Sequence, residues 1–76
     1  MSRTITLSEA RAMASDADLI EAGDVGRVAI LPTVDGQEFL VDLAPAGTAV
    51  DDAAHEWARR MGEDDEDIDA AVIVAD

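Results

Sequence analysis

Stretches in which apolar residues alternate with polar ones give way along this chain to stretches with a helical spacing, and each change marks an element. Thr4-Ile5-Thr6-Leu7 alternates as a short half-buried strand does. Ser8 follows as an N-cap, and Glu9 stands favourably at the positive end of a helix expected to begin there. Ala10, Met13, Ala14, Ala17 and Ile20 keep a helical spacing, with Gly23 as the expected stop after Ala22. Ser15-Asp16 interrupts the run and offers a cap to a second short helix through Asp18, so this element reads as one helix or two.

The next segment, Arg27 to Ala44, has the pattern of a hairpin. With Asp35-Gly36 as the central residues of a type I′ turn, Val34 faces Gln37, Pro32 faces Phe39, Ile30 faces Val41 and Val28 faces Leu43. That register gathers Val28, Ile30, Pro32, Phe39, Val41 and Leu43 on one face. Leu31 and Leu40 go to the other with Arg27, Ala29, Thr33, Glu38 and Asp42. Proline has no amide hydrogen to give a ladder, so Pro32 implies an edge or a bulge.

After the loop Ala44-Pro45-Ala46-Gly47, Thr48 and Asp51 have the spacing of a capping box, and a helix is expected over Ala49 to Met61. Val50, Ala53, Ala54, Trp57 and Met61 form its apolar stripe, Arg59 and Arg60 complement its negative end, and Gly62 closes it. Trp57, the only Trp, reads as a core anchor. Glu63 through Asp67 is too charged to bury and reads as a solvated loop, before a final strand in Ala70 to Ala75.

Strand, helix, strand, strand, helix, strand is the order of a ferredoxin-like β-α-β-β-α-β domain. The expectation is a small two-layer α+β sandwich, with an antiparallel sheet carrying two helices on one face. The first and third strands would be central, the last would pair beside the first, and Leu31 and Leu40 would lie on an open sheet face. A second copy could then add through that face or through the last strand as an edge.

Charge changes the picture more than any motif. The 76 residues carry 18 Asp and Glu against five basic residues, all Arg, for a formal net charge of -13. Self-repulsion on that scale disfavours the compact state, so the acidity is expected to serve solubility in concentrated salt or recognition of a basic partner. Phosphates and anionic headgroups are repelled alike, which disfavours nucleic acid and membrane surfaces as ligands. The length is that of one small domain, residues 1–76, and the chain has no cysteine for a disulfide or thiolate metal site. Neither an apolar leader core nor a bilayer-length apolar run stands out, and the expectation is a cytoplasmic protein.

Arg3-Thr4-Ile5-Thr6-Leu7-Ser8-Glu9-Ala10-Arg11 resembles the opening of Phd/YefM-type antitoxins, a short strand leading into a Ser-Glu-Ala-Arg helix. The likeness extends over about the first 44 residues, through a hairpin with its turn at Gly36. It implies an N-terminal domain that dimerises on operator DNA, with Arg3 and Arg11 nearest the DNA, and a C-terminal segment that wraps a toxin.

Motifs with chemical content are sparse. Asp51 and His55 stand one helical turn apart, a spacing that suits a shared metal, but also a solvated imidazole beside a carboxylate. Arg59 occupies the place where a zincin helix needs its second His. Asp65, Asp67 and Asp69 alternate like the first ligands of a calcium loop, yet Ala70 stands where its turn needs glycine, and the stretch reads as an acidic surface. No nucleophile motif or phosphate loop is present, and neither an enzyme nor a cofactor is expected.

The leading expectation is a non-catalytic protein-interaction module that presents carboxylates to a basic partner, as an inhibitor of a nucleic-acid-binding protein would. Its binding surface is expected in Asp51, Asp52, Glu56, Glu63, Asp64, Asp65, Glu66, Asp67 and Asp69. The alternatives are the antitoxin-like regulator and a domain whose acidity reflects only a halophilic host.

Overall fold

The computed structural model describes residues 3–14 and 20–76. Strand β1 (Thr4–Thr6) passes without a loop into helix α1 (Leu7–Met13). Thr6, rather than Ser8, is the N-cap: its hydroxyl accepts the Glu9 amide at 3.1 Å, and the Glu9 carboxylate reaches back to the Thr6 amide. Thr6-Leu7-Ser8-Glu9 is thus a capping box, which starts the helix two residues earlier than expected. The helix stops at Met13 because Ala14 turns extended and pairs with Leu40. It does not continue to Ala22, and the suggested second helix at Ser15-Asp16 through Asp18 lies outside the described residues, as does Ala17. Ala22–Asp24 forms a single 3-10 turn, so Gly23 ends no α-helix.

Strand β2 (Val28–Val34) then runs into the expected turn, with Asp35 at φ 53° and Gly36 at φ 79°, both left-handed as a type I′ turn requires. Strand β3 (Gln37–Glu38) keeps the expected register, pairing Val34 with Gln37. Beyond it the register shifts by one. Strand β4 (Asp42–Ala44) pairs Ile30 with Asp42 and Val28 with Ala44, so a bulge intervenes at Leu40 and Val41. Leu43 consequently joins the face of Ala29 and Leu31, opposite to the one expected, and Ala44 takes its place beside Val28. The cause is non-local: the Leu40 amide donates to the Met13 carbonyl at the end of α1, drawing one residue out of the ladder.

Helix α2 (Val50–Met61) forms where expected, but its N-cap is Ala49, no Thr48–Asp51 capping box forms, and Ala58 rather than the exposed Met61 completes its buried stripe. Gly62, at φ 73°, closes it, and the Gly62 and Glu63 amides both return to the Ala58 carbonyl. Asp65–Asp67 makes a 3-10 turn, and strand β5 (Ile68–Val74) begins two residues before the expected start.

The sheet is mixed and runs β1-β5-β2-β3, with β4 also on β2. Thr4, Ile5 and Thr6 lie parallel to Val72, Ile73 and Val74, whereas β2 is antiparallel to β5. The expected wholly antiparallel sheet is corrected by that parallel pair. The last strand stands in the centre and the first at an edge, unlike the ferredoxin-like order expected from element sequence alone. Burial explains the exchange. β5 is apolar on both faces, as a central strand must be, while β1 has only Ile5 to bury.

The helices lie on opposite faces. Ala29, Leu31, Ala71 and Ile73 meet α1 through Ala10, together with Ile5, Ile20 and Leu40. Val28, Ile30, Ile68 and Ala70 meet Val50, Ala53, Trp57 and Ala58 of α2. The face of Leu31 and Leu40 is therefore buried rather than open, and β5 is paired by β2 along one side and by β1 over Val72–Val74 on the other. Fully buried Ala10, Ala29, Ala58, Ala70 and Ala71 let both helices approach the sheet closely. The result is a small α+β domain with two separate apolar layers.

Candidate functional site

Every buried core residue is apolar among the described residues, and no buried side-chain nitrogen or oxygen lacks a partner. Chemistry must therefore be sought at the surface. The nine acidic residues singled out by sequence fall into separate groups. Asp69 belongs to the α1 side, since the β2–β5 register pairs it with Leu31. Its carboxylate accepts the Arg3 guanidinium at 2.5 Å, and Arg3 also pairs with Glu38. Those two carboxylates raise the Arg3 pKa further and hold it as a cation. Asp69 is thus committed to a clasp joining the start of β1 to β3 and β5.

Asp51, Asp52 and Glu56 are exposed on α2. Glu56 and Arg60, one turn apart, line a cleft of about 280 Å³ against Asp42 and Leu43 of β4. Glu63, Asp64, Asp65, Glu66 and Asp67 form a continuous exposed ridge. Its backbone is bonded rather than loose. Glu63 is anchored to Ala58, and the Asp67 amide donates to the Asp64 carbonyl at 3.1 Å.

His55 meets Asp65 of this ridge, Nδ1 to Oδ2 at 2.6 Å, instead of Asp51 in its own helix. The pair fastens the ridge to α2. Both groups are exposed, so its worth to stability is small. Among the described residues no three His, Asp or Glu side chains converge as a metal site would require; of the calcium-like alternation, Asp69 points instead to Arg3. Arg11, the other position implied by the antitoxin resemblance, donates its Nε to the Ile20 carbonyl at 3.3 Å.

Sequence reasoning missed the ridge's neighbour. A cleft of about 250 Å³ opens between the β2–β3 hairpin and the end of α2, floored by Trp57 and Ile68 and walled by Val34, Phe39 and Val41. Glu63 and Asp67, the two ends of the ridge, stand on its rim. Val41, one of the two bulge residues, is 45% exposed on its wall.

Comparison with protein-family models, curated proteins and solved structures finds no match for this chain. Among the described residues no helix is long and apolar enough to cross a membrane.

Proposed function

We propose that this domain is a non-catalytic interaction module whose acidic face binds a basic protein surface, as an inhibitor of a nucleic-acid-binding protein would. The observation that carries the reading is the Glu63–Asp67 ridge, five consecutive exposed carboxylates on a hydrogen-bonded turn. A fixed array of this kind loses less conformational freedom on binding than a disordered acidic tail. Asp51 and Asp52 at the far end of α2 extend the negative field that steers a cationic partner.

The test is a titration with an Arg- and Lys-rich peptide over a salt series. Binding is expected at low salt and should fall steeply as salt rises. Reversing Glu63, Asp64, Asp65 and Asp67 to Lys should abolish it while the far-UV circular dichroism keeps its native form. Unchanged binding by the reversed variant would sink the reading.

A second reading, an antitoxin-like regulator of the Phd/YefM type, draws support from the direct passage of β1 into a helix bearing Ser8-Glu9-Ala10-Arg11. Substituting duplex DNA from the upstream region for the peptide separates the two. A specific gel shift favours the regulator, and no shift at any salt favours the acidic module.

A further inference from the structure

We infer that the cleft beside the acidic ridge is an anchor pocket, which takes one large apolar side chain from a basic segment of the partner protein. The inference rests on the acidic-face reading and specifies the chemistry that face recognises. Val34 and Val41 are 51% and 45% exposed on the cleft walls. Phe39 is half-buried between them, and Trp57 closes the floor with only 8% of its surface exposed. Apolar surface of this kind, gathered around an indented aromatic floor and rimmed by charge, is the form of a protein-docking hot spot.

Charge selects the occupant. Glu63 and Asp67 form the polar rim, the ridge continues outward through Asp64, Asp65 and Glu66, and no Arg lines the cleft among the described residues. A second copy of this chain would bring net charge -13 against that rim, which opposes self-association here. A cationic segment meets no such penalty. The volume of about 250 Å³ falls below the range of roughly 300–1,000 Å³ usual for small-molecule sites and suits a single inserted side chain. The partner segment is therefore Lys- or Arg-rich with one large aliphatic or aromatic residue among its charges.

Two synthetic peptides of equal length and charge, composed of Lys, Arg, Ser and Gly, provide the probe. One carries a central Phe and the other Ser at that position. Trp57 is the sole Trp of the protein and reports occupancy of the cleft by its fluorescence. The Phe peptide should bind about tenfold more tightly and alone should shift the Trp57 emission. The double variant Val34→Ala/Val41→Ala should erase most of that preference while leaving the affinity for the Ser peptide unchanged.

Equal, salt-sensitive binding of both peptides to the unaltered protein would overturn the anchor pocket and leave the acidic-face reading standing. Failure of both peptides to bind at low salt would overturn both. Sedimentation supplies the remaining outcome: a dimer that the double variant dissociates would assign the cleft to a second copy and overturn the inference. The two-peptide comparison decides the matter on the unaltered protein even if the double variant folds poorly.

Discussion

Asp24 accepts the Glu21 amide at 2.8 Å and the Arg27 guanidinium at 3.1 Å. The bond from the Glu21 backbone is the larger cause of a carboxyl held below its ordinary value, and Arg27 adds to it. Because the folded value is the depressed one, this stabilisation is present above the unfolded value of about 3.9 and is lost as pH falls through the folded value. Asp24→Asn keeps an acceptor for the amide but removes the titrating charge. It should lower the melting temperature at neutral pH by a few degrees, and the difference should narrow below about pH 4. A difference that stays constant down to pH 2 would show that Asp24 acts through shape alone. The Arg27 guanidinium also donates to the Leu43 carbonyl at 3.2 Å, so the same contact fixes β4 to the turn before β2.

Among the elements, the hairpin is the most informative. Its turn was legible because Asp35-Gly36 carries its own conformational preference. A bulge was one of the two readings of Pro32, but its place at Leu40 and Val41 was not legible, because the deciding contact comes from Met13, remote in sequence. Three successive amides are bonded there: Phe39 to Pro32, Leu40 to Met13 and Val41 to Ile30. A regular edge strand would leave alternate amides free for exchange. Hydrogen exchange should therefore find Phe39, Leu40 and Val41 all protected, and a fast Leu40 amide would overturn the link to α1. The same contrast between local and remote causes runs through the rest. Composition marked the Glu63–Asp67 ridge as exposed, whereas Asp69 was assigned to it by proximity in sequence and is held by Arg3 from the opposite end of the chain. The position of β5 was legible in its apolar faces, but element order pointed elsewhere. The anchor cleft needs Phe39, Val41 and Trp57 brought together from separate segments, and no spacing rule announces that.

At the scale of the molecule, net charge -13 is carried on a domain whose apolar layers are largely built of Ala, Val and Ile. Repulsion among exposed carboxylates extends over a screening length of about 30 Å at 0.01 M salt and about 3 Å at 1 M. Stability should therefore rise with potassium chloride, as read by Trp57 fluorescence and far-UV circular dichroism. A domain already folded in dilute buffer tolerates its charge and favours recognition of a basic partner. Folding only at molar salt would instead explain the acidity as adaptation to a saline interior. The central position of β5 carries a further consequence, in the time order of synthesis. β1 and β2 emerge from the ribosome early, yet each takes its place in the sheet beside β5, which is translated after them both. A nascent chain halted before Ile68 holds two strands that have no common neighbour, exposed to chaperones and proteases. The β2–β3–β4 part of the sheet can pair before then, but the joining of β1 to it must wait until Ile68–Val74 has emerged.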